Sequence, residues 1–102
     1  MTKKPENRIE KASKLLASMA NTKRLVVLTN LAEGEKSVGH LAEIVGLTSG
    51  ALSQHLGKMR TLGLVETRRD GQTIYYRLIS QEVRVILRML HRLYGRPRIR
   101  KG

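Results

Sequence analysis

The side chains best suited to chemistry lie in the segment from Thr48 to Thr61. The amide of Gln54 both donates and accepts, so it can form a paired hydrogen bond with adenine in the major groove. The hydroxyl of Ser53 can reach either a base edge or a phosphate. These neighbours indicate recognition of a nucleic acid by hydrogen bonds; a merely solvated helix face is the alternative.

The chain offers little for catalysis or for a metal ion. It has no cysteine, which excludes disulfides and thiolate zinc sites, and its eight acidic residues are thinly spread. None of His40, His55 and His91 is paired with an acid at a recognisable spacing. We therefore predict that the protein is not an enzyme and has no metal and no cofactor.

The charge of the chain points to a polyanionic partner. Lys and Arg number 20 against eight Asp and Glu, a formal net charge of +12, and such a field attracts nucleic acid. Free amides at a helix start favour a phosphate near Ser49, whereas for His55 a packing or hydrogen-bonding role is at least as open as contact with DNA. The residues predicted to contact DNA are Ser37, Ser49, Gly50, Ser53, Gln54, His55, Lys58, Arg60, Arg68, Arg69, Gln72 and Thr73.

Apolar spacing predicts the elements that must position these side chains. Steps of three and four indicate helices, and alternation after Leu64 indicates two strands around a turn at 69–72. Four residues are predicted helix caps: Asn21, Ser37, Thr48 and Ser80. The predicted segments are helices at 6–20, 21–34, 37–46, 48–62 and 80–94 and a hairpin at 64–78.

This order predicts a single domain over residues 1–102, mainly α with a small β-hairpin, of the winged helix-turn-helix type. Residues 37–62 form the helix-turn-helix because two helices meet at a short turn containing Gly46. The basic hairpin that follows at 64–78 is the wing, and 95–102 is a basic tail. That tail either adds nonspecific phosphate affinity or is a charged end without function.

The last helix carries an apolar seam that, if exposed, needs a partner. We expect it to pair two copies of the chain, with the recognition helices about 34–36 Å apart, one turn of DNA. The seam residues at 80–94 are Val83, Ile86, Leu87, Leu90, Leu93 and Tyr94.

Five segments resemble one family of regulators. They are Met19–Leu25, Gly46–Leu47, Ala51–Leu56, Leu62–Val65 and Thr67–Leu78. Together they are similar to the ArsR/SmtB family of dimeric winged-helix repressors. The resemblance implies a homodimer that binds a palindromic operator and represses transcription. It also implies that the first helix joins the interface through Leu15, Leu16 and Met19.

The sequence departs from the metal-sensing members of that family. Where they have a Cys-Val-Cys motif, this chain has Lys36–Leu41, and its last helix offers only Glu82 and His91 without paired ligand spacing. The resemblance therefore implies a regulator that senses neither metals nor redox state through cysteine.

Two further expectations concern location and partners. Residues 1–8 are polar and no run of eighteen apolar residues occurs, so we expect a soluble cytoplasmic protein that does not span a membrane. A winged-helix module that binds RNA or a protein partner is the alternative function, since its basic face has the same composition.

Overall fold

Five helices and three strands form the fold in the computed structural model, which describes residues 5–95, without the side chains of residues 5 and 6. The basic tail lies outside the described residues. In chain order the elements are α1 (Pro5–Met19), α2 (Thr22–Glu33), β1 (Lys36–Ser37), α3 (Val38–Val45), α4 (Ser49–Thr61), β2 (Val65–Asp70), β3 (Thr73–Leu78) and α5 (Gln81–Tyr94).

The four predicted caps are confirmed. In each case a side-chain oxygen accepts a hydrogen bond from the backbone amide three residues later, as with Asn21 and Arg24 or Ser37 and His40. Thr48 caps α4 in the same way, and Ser80 caps α5. Because these bonds satisfy amides that have no partner inside the helix, local sequence sets where each helix begins.

The turn between α3 and α4 is short and tightly bonded. Gly46 ends α3 in the left-handed conformation at φ 76°, which a residue with a Cβ adopts only with strain. The ammonium of Lys23 donates to the carbonyl oxygen of Val45 at 2.9 Å. This cation at the C-terminal end of α3 joins α2 to the helix-turn-helix.

The sheet has one strand more than the sequence predicts. Its order is β1-β3-β2, all antiparallel, with Lys36 and Ser37 paired to Tyr76 and Tyr75. The predicted hairpin is correct, although Asp70 pairs with Thr73 and the turn is the two residues between them. Alternation cannot reveal β1, because two residues are too short to show a period.

The core is aliphatic and lies between the helices and the sheet. Leu52, Leu56 and Met59, the predicted buried side of α4, have no exposed surface. Met19, Val83 and Leu87 are also buried in this core, at most 3% exposed, which corrects their prediction as subunit-contact residues. Periodicity identifies an apolar face but not whether the same chain or another covers it.

None of the helices within residues 5–95 combines the length and the hydropathy that a membrane span requires.

Candidate nucleic-acid interface

The outward face of α4 is polar and open. Gly50, Ser53, Gln54, Gly57 and Thr61 are exposed, on the side away from the buried leucines. A Cβ built on either glycine would meet nothing within 4 Å, so the backbone there is free to approach another surface closely. Glycine costs a helix interior about 1 kcal/mol relative to alanine, and such an approach would offset that cost.

Two grooves flank this face of α4, and Ser53 lines both. The first, of about 470 Å³, lies between the start of α3, α4 and the hairpin. Among its lining residues are the predicted contacts Ser37, Gln72 and Thr73. The structure thus brings Ser37 together with Gln72 and Thr73, which lie 35 and 36 positions later in the sequence.

The second groove, of about 980 Å³, separates α4 from α1 and is called the α1–α4 groove below. It holds predicted contacts from α4 together with side chains that sequence reasoning did not select, Lys14 and Arg24. Its full lining is Lys14, Ala17, Ser18, Arg24, Ser53, Gln54, His55, Gly57, Lys58, Thr61 and Leu62.

His55 lies half-buried beside this groove and bonds to α2. Its Nδ1 accepts a hydrogen bond of 3.1 Å from Nε of Arg24. A ring nitrogen that accepts has no proton, so in the neutral ring the proton is on Nε2. The structure therefore gives His55 the hydrogen-bonding role that its sequence position left open, and any contact to DNA would use Nε2.

The guanidinium of Arg68 in the wing is already paired with a carboxylate. The sequence predicts instead a hairpin of unpaired basic side chains. Its Nη2 and Nε donate to the two carboxylate oxygens of Glu35 at 2.8 and 2.9 Å. The guanidinium carbon is also 4.4 Å from the centre of the Tyr75 ring. Because Glu35 precedes β1 and Arg68 lies on β2, the pair spans all three strands.

The bonds from Arg68 stabilise the ionised form of Glu35. Hydrogen bonds from Arg68 lower the pKa of Glu35 below its ordinary value of 4.5, and desolvation opposes this in part. Because folding lowers this pKa, the pair contributes fully above pH 4.5 and is lost as pH falls through the lowered value. Glu35 is therefore ionised at neutral pH.

The two faces of the sheet differ in charge. Directly opposed residues share a face, so the pair of Arg77 and Glu66 lies on the same face as Arg68. Arg69 is opposite Ile74, on the face that buries Tyr76, and no ion pair is recorded for it among residues 5–95. Of the two arginines predicted to contact DNA from the wing, Arg69 is therefore the one that has no carboxylate partner within residues 5–95.

Releasing Arg68 gives a testable change. We expect Glu35→Gln to steepen the salt dependence of binding to random duplex DNA, by about 0.9 in log–log slope for each phosphate that Arg68 then contacts. The removed carboxylate no longer competes for the guanidinium. Glu10→Gln, at an exposed site on α1 with the same change in charge, is the control. A slope change no larger than that of the control would mean that Arg68 stays on Tyr75, away from the phosphates.

The other predicted contacts on α4 are all exposed. Ser49 is the first residue of the helix. Lys58 and Arg60 both lie in its last turn, and of these two Lys58 lines the α1–α4 groove. Within residues 5–95 no group of three potential metal ligands occurs, and the expected lack of a metal stays a prediction.

Sequence reasoning missed three residues that the fold brings to the interface. Glu35 is 33 positions from Arg68, and Arg24 is 31 positions from His55. Lys14 lies on a helix whose sequence indicates only packing. No local sequence pattern links partners so far apart. The excess of Lys and Arg indicates only that some basic side chains line a shared surface.

Comparisons with known proteins agree with this geometry. Residues 21–67 match the family described as "Bacterial regulatory protein, arsR family". Nodulation protein NolR of Rhizobium meliloti is 52% identical over 86 residues, which are 84% of this chain and 70% of that protein. Transcriptional activator HlyU of Vibrio cholerae is 47% identical over 89 residues, 87% of this chain and 82% of that protein. The crystal structure of NolR from Sinorhizobium fredii superposes with a TM-score of 0.85 at 47% identity, covering 95% of this chain and 99% of that one.

Proposed function

Because the chain belongs to the arsR family and is a DNA-binding transcription regulator rather than an enzyme, we propose that it represses transcription as a homodimer on an inverted-repeat operator. One α4 from each subunit enters the major groove, and the bound dimer blocks polymerase. This takes place in the cytoplasm, where the DNA of a bacterium lies.

The single observation that carries this proposal is the division of α4 into two sides. One side has Leu52, Leu56 and Met59 fully buried, while the other offers Ser53 and Gln54 to solvent. A helix held by its apolar side on a small domain presents its polar side as a rigid surface. The major groove of B-form DNA is wide enough for such a helix. In that groove each type of base pair presents a different pattern of hydrogen-bond donors and acceptors.

Exposed apolar stripes on the terminal helices support the homodimer. Val85, Met89 and Leu93 of α5 are 51–65% exposed and recur every four residues along one side. On α1, Ile9 and Leu16 are 67% and 54% exposed. A second copy would cover both stripes. This interface uses a different side of α5 from that of Val83 and Leu87, which the protomer already buries.

The proposal predicts a sequence-specific loss on substitution of Gln54. Against DNA sites selected from bound genomic fragments, Gln54→Ala should lose about 1–3 kcal/mol, because a paired hydrogen bond to one base is removed. Binding to random duplexes should stay unchanged, since that binding depends on phosphates. Fluorescence anisotropy with both DNAs measures the two affinities.

The controls separate base reading from general damage. Gln81→Ala makes the same chemical change at an exposed position on α5 and should leave both affinities as they are. Equal losses on selected and random DNA would reject base reading by Gln54. Duplex RNA should compete poorly, because the deep, narrow major groove of A-form RNA excludes a helix; effective competition would favour an RNA-binding module instead.

A further inference from the structure

The floor of the α1–α4 groove contains a cation without a counterion in the described chain. Arg24 is half-buried, and its recorded bonds go to neutral acceptors, Nδ1 of His55 and the carbonyl oxygen of Ser18 at 3.4 Å. No Asp or Glu is among the described residues that line the groove. Partial burial costs a cation part of its hydration free energy, and a bound anion offsets this cost through charge-assisted hydrogen bonds.

The two bonds also fix the direction of the guanidinium. Arginine has five N–H donors, and two are used by His55 and Ser18, so three are left. Because the restraint is made before any ligand arrives, little side-chain entropy is lost when an anion binds.

Further donors surround the same space. The protonated Nε2 of His55 is a donor, and Lys14 and Lys58 are exposed residues of α1 and α4 on opposite walls. Ser53 adds a hydroxyl group. The set contains cations and neutral donors, which is the chemistry that binds a phosphate oxygen.

The position of the groove identifies the source of the phosphate. Ser53 and Gln54 line the groove and also belong to the face of α4 that meets the bases. Backbone phosphates flank the bases on each strand. When α4 lies in the major groove, the α1–α4 groove beside it therefore comes close to these phosphates. We infer that the α1–α4 groove binds a backbone phosphodiester of DNA beside the bases that α4 reads.

This inference rests on the proposed function and gives α1 a second role, since Lys14 then contacts DNA from a helix otherwise assigned to the subunit contact. Arg24 and Lys14 bind the phosphate, and His55 orients Arg24. Free inorganic phosphate has the same chemistry and would fit the same groove. The experiment must therefore distinguish a phosphodiester of DNA from free phosphate.

The test compares two neutral substitutions on α1. Binding to a random-sequence duplex is measured across salt concentrations for Lys14→Gln and for Arg8→Gln, an exposed residue six positions earlier that does not line the groove. Lys14→Gln should flatten the slope by about 0.9 per protomer and weaken binding about eightfold per lost contact at 0.1 M salt. Arg8→Gln should change the slope by less than half as much. Equal changes for the two variants would overturn the inference.

Replacing single phosphates locates the contact. On a selected site, each phosphate in turn is exchanged for an uncharged methylphosphonate. The wild-type protein should lose affinity at one position per half-site where Lys14→Gln shows no further loss. The absence of any such position would overturn the inference. Arg24→Lys keeps the charge but lacks the fork that bonds both partners, so it should weaken binding to the unmodified site and show no further loss where that one phosphate is replaced.

Inorganic phosphate is the second probe. If phosphate titrated into the protein shifts the amide resonances around Arg24 and saturates, while the DNA slope of Lys14→Gln equals that of Arg8→Gln, the groove is a small-anion site. That result overturns the assignment to DNA. The proposed function fails differently: the wild-type protein would show no selective or dimeric binding, yet the slopes on random DNA could still be compared.

Discussion

Leu56→Ala should lower the free energy of unfolding by about 2–5 kcal/mol. Leu56 has no exposed surface and lies on the buried side of α4, so truncation removes its transfer free energy and leaves a cavity. A domain of this size has only about 5–15 kcal/mol in total. Urea denaturation at fixed protein concentration measures the loss, and the thermal midpoint should fall by at least about 8 °C.

Leu62→Ala is the matched control for this change. Leu62 follows the same helix and is 48% exposed, so the same truncation should cost less than about 1 kcal/mol. If the two variants lost equal stability, Leu56 would not be anchored in the core. The face of α4 assigned to DNA would then be wrong as well, because it is defined as the side opposite Leu56.

Met89→Glu should abolish the dimer and weaken operator binding about 10²–10⁴-fold. Met89 is 51% exposed in the middle of the α5 stripe, so the protomer should fold, but pairing would bury an unpaired carboxylate at a cost of several kcal/mol. Two linked half-sites bind far more tightly than one, and this gain is lost when the subunits separate. Sedimentation equilibrium and DNA titration measure the two effects.

Two variants bracket the dimer prediction. Met89→Leu keeps an apolar side chain at the centre of the stripe and should retain both the dimer and the affinity. Ile79→Glu makes the same kind of change at an exposed residue outside the α1 and α5 stripes. A dimer that survives Met89→Glu would show that the subunits meet elsewhere, whereas equal disruption by Ile79→Glu would indicate general instability.

The elements of this fold could be predicted because their signals are local. A cap such as Ser37 acts on an amide three residues away, and the apolar period of α4 lies within thirteen residues. The third strand could not be predicted, since Lys36 and Ser37 become a strand only by pairing with residues about forty positions later. Sheet formation over such a distance depends on the tertiary fold, not on the propensity of the segment.

The candidate site divides along the same line. The face of Ser53 and Gln54 follows from helical geometry alone, and the structure bears out its exposure. The engagement of Arg68 by Glu35 and the restraint of Arg24 by His55 depend on how distant segments pack. Val83 and Leu87 show the same limit, because an apolar period does not distinguish a core contact from a contact with a second copy.

The short strand β1 joins the hairpin to the start of α3, and this has a mechanical consequence. Ser37 both pairs with Tyr75 of the hairpin and caps α3. A double helix whose curvature pushes on the hairpin must therefore also tilt the α3–α4 unit. Sites that share the contacted bases but differ in stiffness at positions the protein does not touch should therefore differ in how well α4 fits the major groove, so DNA flexibility and base sequence would act on binding together.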